Sequence, residues 1–214
     1  DLSESNGTIS KRHNVISKDD YNGNYLHYGI REHAMIAVMN GLSICGLRPY
    51  AGSFLVFSDY CRPAIRLAAL MEQPLNIIFT HDSIGVGEDG PTHQPVEHLS
   101  ALRAIPNLNV FRPADAIETC ECWQLILQSK NAPSTLCLTR QSVRHLRTEY
   151  SENNAVSLGA YIIHQEGDKR MVTIFASGSE VEIAVDIAKI LAEKDIGIAV
   201  VSVPCQELFW QQSL

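Results

Sequence analysis

The chain predicts an α/β fold: a doubly wound, mostly parallel sheet followed by a second, truncated α/β unit. Three observations carry that expectation. Apolar β-rich runs alternate with helical patterns, as in parallel strands joined by crossover helices. The run LNIIFT, Leu75 to Thr80, is apolar without alternation, as in a strand covered on both faces. The 214 residues are 45% hydrophobic and only 19% charged, which suits a sizeable core rather than a disordered chain.

Taken in order, IREHAMIAVMNGLSICG (Ile30 to Gly46) reads as a helix apolar on nearly all sides, and therefore buried. RPYAGSF (Arg48 to Phe54) is a short strand, and SDYCRPAIRLAALM (Ser58 to Met71) a helix with Pro63 in its first turn. After LNIIFT, PVEHLSALRAI (Pro95 to Ile105) reads as a helix opening on proline. NLNVFR is a strand, Asp115 to Ser129 a helix, and Ser134 to Thr139 a strand. Residues 1–144 thus form the first unit. The polar, aperiodic stretch 145–157 is the linker, and 158–214 the incomplete second unit. There MVTIFAS (Met171 to Ser177) is a strand. Ser179 with Glu182 makes a capping box for the next helix, Gly197 ends that helix, and IAVVSV follows as a strand.

The net charge of −7 argues against nucleic acid or an anionic membrane as partner, but allows an anionic substrate in a local cationic pocket. No apolar run approaches the roughly 18 residues of a membrane span, and no signal peptide is evident. The six cysteines fit no zinc or disulfide framework. They are expected as reduced core thiols of a cytoplasmic protein. A start at Asp1 and an end just past an apparent strand suggest a piece of a longer protein.

The chemistry concentrates in HDSIGVGEDGPTHQP, His81 to Pro95, beyond the carboxyl end of a strand, where ligands of such sheets bind. GVGEDG satisfies a dinucleotide-binding pattern literally, but Pro91 and Pro95 follow where a helix would have to run. A metal set of His81, Asp82, Asp89, His93 and His98 lacks helical ligand spacing; no residue is assigned to metal. An organic active site is plausible, with histidines and a carboxylate on a polar substrate and glycines allowing close approach.

Three further places could belong to it. Glu32 opens an apolar helix, where an unpaired carboxylate is costly; a pair with Arg31 or a favourable helix terminus would also explain it. Phe54, Phe57 and Tyr60 recur every three residues, which suits core packing or stacking on a heteroaromatic ring. Arg140 ends a strand, either in a surface ion pair or as a phosphate clamp.

Together these stretches resemble the transketolases, thiamine diphosphate enzymes. The matching run passes from YLHYGIREHAM through FLVFSDY, RLAAL and THDSIGVGEDGPTHQPVEHL to FRPAD and LTRQ. DLSES at the start, and ASGSEVEIA with SVPCQELF in the second unit, extend it over essentially the whole chain. GEDGPTHQP is specific, since deoxyxylulose-phosphate synthases carry a looser version and two-oxoacid dehydrogenases lack it. The resemblance implies a pyrimidine-binding domain followed by the start of a C-terminal domain. The diphosphate and its divalent metal, Mg or Ca, would be held by a preceding domain, whose G-D-G motif is absent here.

The implied activity is transfer of a two-carbon ketol unit from a ketose phosphate to an aldose phosphate, as in the pentose phosphate pathway. A homodimer would share each active site, and the piece alone would be inactive. Glu32 would hydrogen-bond the cofactor's pyrimidine nitrogen and favour its imino tautomer, with burial expected to raise the carboxyl's pKa. Phe57 would stack on the pyrimidine, with Phe54 and Tyr60 lining the pocket. His81, Asp89 and His93 would contact substrate hydroxyls, His93 nearest the reacting carbon. Arg140 would bind the phosphate, helped by Ser5 and His81, although Glu4 stands where the family often has proline. Asp82, Glu88, Glu97 and His98 are left as structural or solvated. The alternatives are a deoxyxylulose-phosphate or dihydroxyacetone synthase, and a non-catalytic half-site subunit of a split enzyme.

Overall fold

The computed structural model describes residues 2–149 and 151–213. The first unit holds β1 (Tyr50–Phe54), β2 (Asn76–Thr80), β3 (Asn109–Phe111) and β4 (Ser134–Cys137), all parallel, in the order β1-β2-β4-β3. Every residue of β2 is buried, as expected for the central apolar strand. Its helices are α1 (Glu32–Ile44), α2 (Arg62–Leu70), α3 (His98–Arg103) and α4 (Ala116–Gln128). The core joins Met35, Ile36 and Met39 of α1 to Ile65 of α2 and to Ile77 and Phe79 of β2. The second unit is a sheet ordered β5-β7-β6, from β5 (Tyr161–Glu166), β6 (Arg170–Ala176) and β7 (Gly197–Ser202), with β5 antiparallel to β7. It carries α5 (Glu180–Ala192) and α6 (Gln206–Trp210).

Several expectations need correction. α1 is not buried all round: Met35, Ile36, Met39, Asn40 and Ser43 face inward, while Val38 and Ile44 are exposed. Apolar composition states what a face tolerates, not what covers it, and Glu32 is only half-buried as a result. The segment after β1 is first a 3-10 helix, Leu55–Tyr60, and α2 starts later with Pro63 in its opening turn. α3 begins at His98 rather than Pro95, its first i→i−4 bond running from the Ala101 N–H to the Glu97 carbonyl.

The capping box at α5 does not form. Ser179 has helical backbone angles (φ −60°, ψ −20°) and its hydroxyl goes to Glu180. Glu182 turns instead to Arg144, accepting from its backbone N–H at 3.0 Å and pairing with its guanidinium at 2.8 Å. Gly197 does not end α5; it opens β7, where a Cβ would lie 2.0 Å from the Lys169 carbonyl oxygen. The antiparallel β5 has no counterpart in the sequence reading. Four cysteines are buried, but Cys45 and Cys120 are exposed.

The polar stretch between the units is strapped down rather than free. The Leu146 and Arg147 N–H groups donate to Asp115 Oδ2 at 3.0 and 3.2 Å. Arg147 forks onto both oxygens of Glu121 at 2.7 Å. Asp115 also caps α4, accepting from the Glu118 N–H. Glu118 is fully buried between the units. It accepts from Ala114 N–H at 2.7 Å, and from the Tyr161 and Ser202 hydroxyls at 2.6 Å each.

Candidate active site

Parallel pairing places Phe54 opposite Thr80 and Phe79 opposite Cys137. The carboxyl ends of β1, β2 and β4 therefore share one edge, where the segments bearing Phe57, His81 and Arg140 emerge. The 3-10 helix matters here. Its period is three residues, so side chains at i and i+3 eclipse. Phe54 and Phe57 lie with ring planes 6° apart and centroids 6.0 Å apart, and Tyr60 continues the row at 6.2 Å from Phe57. Phe54 is buried, Phe57 half-buried and Tyr60 exposed.

His81 leaves β2 with a positive φ of 59°, a conformation that costs a residue with a Cβ. Its ring stacks on Phe54 at 3.7 Å and is 7% exposed. The Thr80 hydroxyl donates to Asn6 Oδ1, so its contact with His81 Nδ1 at 2.9 Å leaves it as acceptor there. That network assigns the proton to Nδ1 and leaves Nε2 with a free lone pair. Burial pushes the His81 pKa down, Asp89 opposing and Arg140 and His93 adding to the fall. Those three predicted substrate residues are thus within electrostatic reach of the His81 ring. His93 sets its ring edge-on to Phe57 at 5.4 Å and to Phe54 at 6.1 Å, and its Nδ1 meets the Thr92 hydroxyl at 2.9 Å. Asp89 and Arg140 are exposed. Arg140 lies along Gly87, a Cβ there falling 3.5 Å from Nη1.

Glu32 stands in the first turn of α1 and acts electrostatically on Cys61, at the far end of the aromatic 3-10 helix. Burial first, then Glu32 and Asp59, push that thiol up to about 12. Arg31 does not pair with Glu32; its guanidinium donates to the Tyr28 carbonyl at 2.8 Å. Among the described residues, none forms a hydrogen bond or ion pair with the Glu32 carboxyl. Ser5 is exposed in the turn before Asn6 and makes no side-chain bond among the described residues.

The residues left as structural divide. Asp82 is buried and ion-paired with Arg112 at 2.7 Å, while Glu88 and Glu97 are exposed. His98 is buried, its Nε2 3.1 Å from Asp59, with Glu97 3.8 Å from its Nδ1. Arg62 takes the other Asp59 oxygen at 3.0 Å. The set His81, Asp82, Asp89, His93 and His98 does not converge on one point.

Residues the sequence reading missed include Asn6, Thr80 and Gln141. Asn6 and Thr80 orient His81 across 74 residues of chain, a relation no local pattern signals. Gln141 lies over Gly85, where a Cβ would come within 2.2 Å of its amide. A cavity of about 490 Å³ lies apart from these rings, among Tyr25, Tyr28, Met35, Met39 and Tyr50.

A parallel α/β layer with an aromatic row and a histidine cluster at its carboxyl edge places the chain among doubly wound α/β domains. The family profile described as "Transketolase, pyrimidine binding domain" matches residues 1–145, and the transketolase-like C-terminal domain matches 159–214. This chain belongs to the transketolase family. The transketolase of Sinorhizobium medicae is 56% identical across the whole chain, which covers 31% of that protein. The crystal structure of the Pichia stipitis transketolase in complex with sedoheptulose 7-phosphate superposes with a TM-score of 0.92 at 44% identity, over 100% of this chain and 32% of that one. A split-gene transketolase, described as an inactive β4 tetramer, superposes at 0.70 with 25% identity, over 95% of this chain and 67% of that one. The chain thus spans about a third of the length of the curated relatives it matches.

Proposed function

We propose that the whole protein is a transketolase of the cytoplasm. It would transfer a two-carbon ketol unit between sugar phosphates with thiamine diphosphate, and this chain would supply the pyrimidine-binding half of its site. Residues 1–144 are that half, 145–157 the link, and 158–214 the start of the C-terminal domain. The observation that carries the reading is the half-buried Glu32 carboxyl, unengaged among the described residues, at the start of α1, which packs against the 3-10 helix bearing Phe57 and Tyr60. An unpaired carboxyl in a partly dry place is explained by a ligand that shares its proton, and flat rings by an aromatic heterocycle. The residues present therefore fit a pyrimidine.

When bound, the cofactor supplies a carbon nucleophile for the sugar carbonyl. Glu32 holds a proton at the pyrimidine nitrogen, and Phe57 keeps the ring seated. His81 offers Nε2 to a substrate hydroxyl, since Nδ1–H is committed to Thr80. His93 moves a proton near the reacting carbon, and Asp89 receives a hydroxyl of the acceptor. Arg140, with Ser5, holds the phosphate. The diphosphate and its Mg or Ca ion belong to the preceding domain, and a second identical subunit completes the site. The name of the Pichia stipitis complex, with its bound sugar phosphate, supports the substrate class.

The test is Glu32→Gln in the full-length enzyme. Turnover is expected to fall at least about a hundredfold, the scale of acid–base catalysis, with unchanged circular dichroism. Turnover near that of the parent would refute the role.

The second reading is a half-site subunit that joins a separate diphosphate-binding chain, favoured by the likeness to the split-gene transketolase. The coding sequence upstream of Asp1 separates the two. An in-frame G-D-G segment supports one enzyme, and a start codon near Asp1 a split one.

A further inference from the structure

The ring of His81 is held from one side by Phe54, Thr80 and Asn6. Its backbone is held from the other side by a chain of contacts that ends in the second unit. Asp82 follows His81 directly and is buried, with Oδ2 accepting from Arg112 Nε at 2.7 Å and Oδ1 lacking a partner. Arg112 is itself buried and is held at its backbone, at Nε and at Nη1. Its N–H donates to the Pro204 carbonyl at 2.8 Å, and its carbonyl accepts from Gly178 N–H at 3.1 Å. Its Nη1 donates to the Ser177 carbonyl at 2.9 Å and the Ser177 hydroxyl at 3.2 Å, and it pairs with Glu180.

Gly178 makes this cradle possible. Its φ is +61°, and a Cβ there would fall 2.8 Å from both Cζ and Nε of Arg112. The guanidinium therefore lies flat on the glycine, and only a residue without a side chain permits it. Ser177 and Gly178 belong to the turn between β6 and α5, and Glu180 opens α5, all in the second unit, whereas His81 and Asp82 belong to the first.

We propose that Arg112 is a positioning residue through which the Ser177–Glu180 segment of the second unit sets His81 for substrate. A desolvated pair is directional and does not slide as a surface pair does. The turn fixes the guanidinium, the guanidinium fixes the Asp82 carboxylate, and Asp82 keeps the adjoining peptide where His81 can hold its left-handed backbone against Phe54. The inference rests on the reading of His81 as a substrate contact, and a double-mutant cycle separates the two.

In the full-length enzyme, Gly178→Ala, His81→Ala and the double variant are compared for KM and kcat with a ketose phosphate donor, each with its melting temperature. Gly178→Ala is expected to raise KM about tenfold with kcat within about twofold. His81→Ala is expected to do at least as much, and the double variant no more than His81→Ala alone. If the two effects multiply, or Gly178→Ala leaves KM unchanged while His81→Ala raises it, the coupling is refuted and the role of His81 stands. If His81→Ala leaves KM unchanged, both fall. Should Gly178→Ala melt below the assay temperature, Glu180→Gln, which weakens one contact of the same guanidinium, takes its place in the cycle with the same criteria.

Discussion

Replacing Glu118 tests the joint between the two units. In Glu118→Ala, the Ala114 N–H, held at 2.7 Å, loses its acceptor and cannot move away. The hydroxyls of Tyr161 and Ser202 both donate to Oε1, so they can turn toward each other and recover part of their loss. One stranded buried donor costs about 1–3 kcal/mol, and the one buried methylene removed with the carboxyl adds about 0.8 kcal/mol. The expected destabilisation is about 3 kcal/mol, a large share of the roughly 5–15 kcal/mol of a typical domain.

Glu118→Gln keeps the shape, leaves one donor mismatched and removes a buried charge, so about 1 kcal/mol is expected at neutral pH. The pH dependence is a second readout. Burial pushes the Glu118 carboxyl up, against the pull of Ser202, Tyr161 and Ala114. With the folded pKa above the unfolded one, this group's stabilisation is full below its ordinary value of 4.5 and is lost as pH rises through the folded value. The Gln variant should lack that component. Urea unfolding of the chain between pH 4 and 8, followed by circular dichroism, measures both. An Ala variant within about 1 kcal/mol of the parent, or a Gln variant as unstable as Ala, would show that this carboxyl does not hold the units together.

Two other outcomes follow from the geometry. Gly159→Ala meets the Phe209 nitrogen at 2.1 Å and the Cys205 oxygen at 2.5 Å, so it should cost more than about 3 kcal/mol. Gly46→Ala, at φ +84° with nothing within 4 Å, should cost only the left-handed strain of about 1–2 kcal/mol; equal melting temperatures for the two variants would contradict this. His81 should titrate below its ordinary 6.5, since burial disfavours the imidazolium. Its stabilisation is present above 6.5 and lost as pH falls through the depressed folded value. A ring-proton NMR midpoint above 6.5 would overturn that.

Much of the site was legible locally. The three-residue spacing of Phe54, Phe57 and Tyr60 forecast a shared face, and the 3-10 helix supplies one of matching period. The motif from His81 to Pro95 stands at a strand's carboxyl edge, as the order of elements required. What the sequence could not show was which charged residues would be consumed by structure. Ser179 and Glu182 match a capping box, yet Arg144 competes for Glu182 from 38 residues away and wins it. Asp82 reads like the other acids of its loop until Arg112 is found beside it.

Composition, alternation and the GEDGPTHQP motif determined the parallel layer, the family and the set of candidate residues, because these depend on neighbours within a few positions. The tertiary structure alone decided that Glu32 is only half-buried, that His81 Nδ1 meets the Thr80 hydroxyl, and that Gly178 seats Arg112. Those outcomes depend on which distant groups meet once the chain has closed on itself, and burial and hydrogen-bond competition exist only after that closure.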